Sequence, residues 1–204
     1  VEKPVALSLK RLTAICKVSN KFNKKIYILY NRRYFKSVKF LKKKIDRKKI
    51  FFEVFIPERK KELIENFDKR IKKNIKFHLT SHWIDFFSYL FNKKISSFKK
   101  EQDHYFFYFS KNKDKNFIKL RYDIKGFIES KIQIGKKKYY FNKLEYLYEI
   151  KNNKLKLIID ENKLDRFKPG IKEIIYSIKQ KKKLILPKLN QLKRLYFFLE
   201  KLPY

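Results

Sequence analysis

Leu7 to Ile45, LSLKRLTAICKVSNKFNKKIYILYNRRYFKSVKFLKKKI, reads as a helix, a strand and a helix with few misfit residues. Leu9, Leu12, Ile15 with Cys16, and Val18 recur near the 3.6-residue period, with Lys10, Arg11 and Lys17 on the other side. That spacing predicts an amphipathic helix with a basic back. Asn20 to Lys25 is a polar turn, and IYILY at 26–30 is short, β-branched and aromatic, the composition of a strand. Asn31 offers a side-chain acceptor to free helix N–H groups, and Tyr34, Phe35, Val38, Leu41 and Ile45 follow at helical spacing. Two helices on one strand form a nucleus on which an α+β domain can condense.

Working outward, the 204 residues carry 55 Lys and Arg against 20 Asp and Glu, a formal charge of +35. Self-repulsion of that size opposes compaction, so a polyanion that supplies counter-charge is the expected partner, and nucleic acid is the commonest one. Lys, Asn, Ile, Phe and Tyr abound while Gly (3) and Pro (5) are scarce, which matches an AT-rich genome. Acidic residues also have such codons, so base composition alone leaves the basic excess unexplained. Met is absent, also at position 1, which predicts a processed end or an unusual initiation codon. One cysteine excludes an internal disulfide framework and a four-cysteine metal site, and Cys16 sits on the apolar helix face as a core residue. The start, with Glu2 and Pro4, does not read as a secretory signal, and no run reaches the ~18 apolar residues of a spanning helix. No membrane insertion is expected.

Further along, IFFEVFI at 50–56 reads as a strand stopped by Pro57. Ile64, Phe67, Ile71 and Ile75 predict one amphipathic helix, and Ile84, Phe87, Phe91, Ile95 and Phe98 a second, together a helical hairpin. From Asp103 the pattern turns to short aromatic and β-branched runs with polar breaks, including a hairpin across Gly135 and another across Lys151 to Lys154. LILPKLNQLKRLYFFL, at 184–199, reads as a short helix entering a final strand.

Signals for catalysis are sparse. His78 and His82 lie four apart with Asp85 three beyond, a spacing that could turn all three one way as metal ligands of a nuclease; neither outer groups to orient such ligands nor a functional context is visible, and His104 could join only through tertiary geometry. The acids stand singly among lysines, and Gly126, Gly135 and Gly170 are isolated, unlike a phosphate-cradling loop. No cofactor or metal is indicated. The basic residues make the stronger statement: Lys10, Arg11, Lys17, Arg32, Arg33, Lys36, Lys136, Lys137, Lys138, Lys168, Lys181, Lys182 and Lys183 are the candidate phosphate contacts. Tyr139 and Tyr140 are candidates to stack on unpaired bases.

The opening stretch resembles the start of the small-subunit ribosomal protein eight family, in its helix with a Leu-Thr-x-Ile core, basic turn, strand and Lys/Ile-rich helix. GFIESKIQIGKKKYYF at 126–141 is similar to that family's Gly-Phe/Tyr-Ile segment with its hairpin, and FKPGIKEIIYSI at 167–178 to its Lys-Pro-Gly segment before a strand. LPKLNQLKRLYFFL at 186–199 resembles the helix and strand beyond. Roughly 80 residues before Gly126 exceed the family's needs, and the chain stops short of its Ser/Thr-rich RNA-contact loop.

The resemblance implies a non-enzymatic structural protein of an organelle small ribosomal subunit, in the mitochondrial matrix, bound to ribosomal RNA and neighbouring ribosomal proteins. The expected fold is α+β: a helix–strand–helix unit, a β-meander, an inserted helical hairpin and a small C-terminal β-rich unit. The expected division is 1–45 with 117–160 as the RNA-binding domain, 46–116 as an insertion, and 161–204 as a truncated C-terminal domain. Rival readings are a lineage-specific or large-subunit ribosomal protein, a metal-dependent RNA-processing nuclease, and an accessory subunit of an organelle membrane complex.

Overall fold

A computed structural model describes residues 1–45, 48–58, 74–110, 116–122, 126–162 and 168–202. Helix α1 spans Leu9–Lys21, opened by Ser8, whose Oγ accepts from the Arg11 N–H at 3.1 Å. Its buried side is Leu12, Cys16 and Ser19, so the stripe sits one position round from the expected one and Val18 is left exposed. Cys16 is in the core as expected.

Residues 26–30 are extended but join no ladder. Leu29 makes one parallel bridge to Glu2 and Tyr27 one antiparallel bridge to Lys188. Ile28 and Tyr30 alternate inward, at 0% and 1% exposure. Asn31–Tyr34 then forms a 3-10 turn before helix α2, Lys36–Ile45. Asn31 does not cap α2. Glu161, 124 residues away, does so, its carboxylate accepting from both the N–H and the hydroxyl of Ser37 at 2.7 Å. Local sequence cannot announce a cap delivered from that distance.

Eight strands form one sheet: β1 Ile50–Glu58, β2 Ser97–Glu101, β3 His104–Tyr108, β4 Phe117–Tyr122, β5 Glu129–Ile134, β6 Lys137–Asn142, β7 Tyr146–Lys151 and β8 Lys154–Asp160. Their order is β2-β3-β4-β1-β5-β6-β7-β8, antiparallel except for the parallel pair β1/β4. Strands in 50–58, 97–101 and 104–108, expected within an insertion at 46–116, therefore share a sheet with those of 117–160. Pro57 does not stop β1. Pairing with β5 ends at Phe55, so no β5 carbonyl needs the proline's missing N–H. The expected hairpins are present, with Gly135 at φ 60° between β5 and β6, and Asn152 and Asn153 at φ 48° and 59° between β7 and β8.

Helix α3 is the single turn Ile75–His78, and α4 is Thr80–Phe91. The first helix of the expected hairpin falls mostly at 59–73, outside the described residues. The second ends at Asn92, a left-handed cap at φ 50°, and Phe98 belongs to β2 instead. Helices α2 and α4 cover one face of the sheet: Phe40 meets Tyr139 at 6.3 Å, Phe86 meets Phe141 at 6.0 Å, and Phe91 stacks on Phe52 at 3.9 Å. On the other face Glu53 and Lys131 reach solvent.

The C-terminal part corrects the expected β-rich unit. Helix α5, Lys168–Lys179, replaces the strand after Pro169-Gly170, because Ile171, Ile174, Ile175 and Ile178 keep a helical and not an alternating period. Gly170 lets this helix approach Tyr34, whose Cβ would lie 3.0 Å from an added methyl carbon. After a 3-10 turn at Leu189–Leu192, helix α6, Lys193–Leu199, stands where a helix leading into a final strand is expected. It buries Leu195, Tyr196, Phe198 and Leu199. Tyr196 donates to the Ala6 carbonyl at 3.1 Å and fastens the end of the chain to its beginning. No helix of the described residues is long and apolar enough to cross a membrane.

Candidate active site

Four local pieces converge near the start of α4: the Lys3–Pro4 segment, the turn Tyr30–Arg33, the end of α3 at His78, and the first turns of α4 with His82, Trp83 and Asp85. The bridge of Leu29 to Glu2, with the Val1 amino group donating to the Tyr27 carbonyl at 3.0 Å, brings the first two together. Lys3 Nζ donates to the His78 carbonyl. Burial, with the Arg32 charge adding to it and Glu2 opposing, pulls the Lys3 ammonium down to about 8. A lysine there exchanges its proton close to neutral pH, which an exposed lysine does not.

His82 stands beside it. Its ring meets Tyr30 edge-on at 5.5 Å, and burial, then the charges of Arg32 and Lys3, lowers it to about 2. It is therefore a neutral imidazole at physiological pH, with Nδ1 buried and unpartnered among the described residues. His78 is shifted down by burial and by Lys3. Arg32 lies flat on Trp83, 3.6 Å from the ring centroid.

Arg33 and Asp85 hold the site's floor. Nε and one terminal nitrogen of Arg33 donate to the two Asp85 oxygens at 2.9 and 2.5 Å, and the other terminal nitrogen donates to the Ile185 carbonyl at 2.7 Å. This bidentate pair is 12% and 5% exposed. Burial pushes the Asp85 carboxyl up while Arg33 pulls against it. Asp85 is thus spent on Arg33 and does not join His78 and His82 as a ligand. Among the described residues no three His, Cys, Asp or Glu side chains converge as metal ligands.

No family description and no curated protein matches the sequence. Solved structures do match its fold. A super-repressor mutant of Gal80p from Saccharomyces cerevisiae superposes at a TM-score of 0.73, with 13% identity over 98% of this chain and 68% of that one. A dehydrogenase (MviM) from Clostridium difficile gives 0.68 and 16%, over 98% and 69%. An oxidoreductase from Agrobacterium radiobacter, solved with NAD+, L-tartaric acid and magnesium, gives 0.65 and 11%, over 98% and 67%. The shared property is the fold.

These matches overturn the ribosomal reading, and with it ribosomal RNA and ribosomal proteins as partners and the expectation of a non-enzyme. Almost the whole chain follows a fold found in dehydrogenases and oxidoreductases. The segments that carried the ribosomal resemblance lie elsewhere in it: 129–142 is two adjacent strands of the eight-stranded sheet, and 168–179 is a helix. Of the residues proposed to touch RNA phosphates, Lys10, Arg11 and Lys17 face solvent on α1 and Lys36 on α2. Lys136, Lys137 and Lys138 lie at the β5–β6 turn, where Lys137 pairs with Glu149 at 3.1 Å. Lys168, Lys181, Lys182 and Lys183 are exposed at the two ends of α5. Only Arg32 and Arg33 belong to the converged site. Lys3, which organises it, was not singled out, because nothing but its burial marks one lysine among so many.

Proposed function

We propose that this chain carries the proton-transfer half of an oxidoreductase site, with Lys3 as the acid–base group at a substrate hydroxyl or carbonyl. The observation behind this reading is the half-buried Lys3 ammonium, lowered to about 8, set against His82 in a fold that dehydrogenases also have. A general acid–base group works best when its pKa lies near the operating pH. As a neutral amine Lys3 takes the proton of a substrate hydroxyl; as an ammonium it returns one to a carbonyl oxygen. His82, kept neutral by burial, donates or accepts a hydrogen bond without bringing a second charge beside Lys3. Arg33 and Asp85 hold the first turns of α4 in place.

A nicotinamide dinucleotide, as bound by the Agrobacterium radiobacter protein, would supply hydride exchange. The N-termini of α1 and α2 do not fit that group. A pyrophosphate needs a free helix N-terminus and close backbone approach over glycines. Here the Leu9 N–H of α1 donates to Glu200 at 2.7 Å and the N-terminus of α2 holds the Glu161 carboxylate, so both positions are already taken by anions. Gly126, Gly135 and Gly170 stand far apart in sequence.

The test adds NAD+ or NADP+ to the purified full chain and follows nicotinamide reduction with a panel of polyols, sugars and hydroxy acids. Lys3→Met is expected to lower kcat by about 10²–10⁴-fold with little change in KM. A parent chain inert on the whole panel, or a Lys3→Met chain as active as the parent, overturns the proposal.

A further inference from the structure

A second concavity lies on the other side of Arg33, and neither Lys3 nor His82 lines it. It is an open cleft of about 760 Å³ between the C-terminal end of α4 and the segment 183–195. Lys93 and Lys94 stand on one wall, directly after the left-handed cap at Asn92. Lys183, Lys193 and Arg194 stand on the other, and Arg33 lies between them. Asp85 is the one carboxylate among the lining residues, and Arg33 takes both of its oxygens.

Two arginines tie the walls together. Arg33 donates to the Ile185 carbonyl at 2.7 Å, joining α4 to the far wall through Asp85. Arg194, from the far wall, donates to the carbonyls of Ile95 and Ser96, which follow Lys94 on the near one. The cleft is therefore held open at a set width instead of being formed by two independent loops. Among the described lining residues the basic side chains far outnumber Asp85, whose oxygens Arg33 already holds, an arrangement that an anion spanning both walls relieves.

We infer that this cleft binds a compact anion with adjacent phosphate groups, a di- or oligophosphate, held by Lys93 and Lys94 on one side and Lys183 and Lys193 on the other. Lysine ammonium groups bind phosphate as point charges and need no fixed fork geometry. The inference does not rest on the proton-transfer reading at Lys3, although Arg33 and Asp85 border both sites. Two of its residues, Arg33 and Lys183, lie far apart in sequence, and the fold brings them to one cleft.

A chain with this much positive charge attracts any polyanion, so the test separates a site from a charge. Sodium pyrophosphate is titrated into the full chain by calorimetry in 150 mM salt, with sodium sulfate at matched ionic strength as reference. One saturable site is expected for pyrophosphate. The double variant Lys93→Gln with Lys183→Gln is expected to weaken it at least tenfold, while the triple variant Lys136→Gln, Lys137→Gln, Lys138→Gln changes it less than twofold. No saturable binding, equal binding of sulfate, or equal weakening by the triple variant overturns the inference.

Discussion

Lys3 and Lys137 are the same side chain in two environments. At Lys3, burial beside Arg32 lowers the ammonium to about 8. At the β5–β6 turn, Lys137 is in water, and its hydrogen bond to Glu149 shifts it upward. Runs of lysine in the sequence draw attention to the turn, yet desolvation makes the isolated residue the one that gives up its proton more easily. Charge number describes the chain's attraction for anions; burial decides which charge can change at working pH.

The most disruptive way to break the contrast is to remove the support beneath the buried cluster. Asp85→Ala leaves Arg33 partly buried without its carboxylate and is expected to cost about 3–5 kcal/mol, read from urea unfolding. The triple lysine-to-glutamine variant at 136–138 is expected to leave the urea midpoint unchanged. Equal losses in the two proteins would erase the distinction drawn between the regions.

A second, smaller effect follows from His82. Its folded-state pKa lies well below the ordinary value of 6.5, so below pH 6.5 the unfolded chain binds the proton that the folded chain refuses. The contribution is present above pH 6.5 and falls away as the pH drops, by up to about 1.4 kcal/mol per unit, until the folded value near 2 is approached. His82→Phe, which keeps a ring beside Tyr30, should flatten the stability profile between pH 6 and 4. An unchanged slope would assign the acid sensitivity to other groups.

The finest comparison is a direct titration of the two lysines. With lysines labelled at the side chain, NMR should find one resonance titrating near 8 that disappears in Lys3→Met, while the Lys137 resonance titrates above the ordinary 10.5. For stability the sign is set by the same shift. Between about 8 and 10.5 the unfolded chain holds a proton that folded Lys3 has lost, so stability gains from Lys3 as pH rises through that window. Partial exposure to solvent keeps that gain small.

Legibility differed sharply between elements. The hairpins at 129–142 and 146–160 were readable because Gly135, Asn152 and Asn153 sit between alternating runs, where turn chemistry and strand period agree. Helices α1 and α2 were readable from their period. Residues 26–30 carry strand composition, yet two single bridges are all they make, because their neighbours are the chain's first residues and Lys188. At 168–179 a local resemblance outweighed a clear helical spacing of isoleucines and misplaced the element. His78, His82 and Asp85 were noticed as a spacing, but their roles were not legible. Asp85 is claimed by Arg33, 52 residues earlier, and Lys3 reaches His78 across 75.

By itself the sequence determined what is local: the α+β character, the helical and alternating periods, the turns, the core position of Cys16 and the large positive charge. These follow from a few neighbouring residues and from composition. Tertiary structure alone decided the strand order, with β1 at the centre between β4 and β5, the distant carboxylates on α1 and α2, and the meeting of Lys3 with Arg32, His78 and His82. A lysine's proton affinity depends on how much water and charge surround it, and those surroundings exist only once the distant segments have packed.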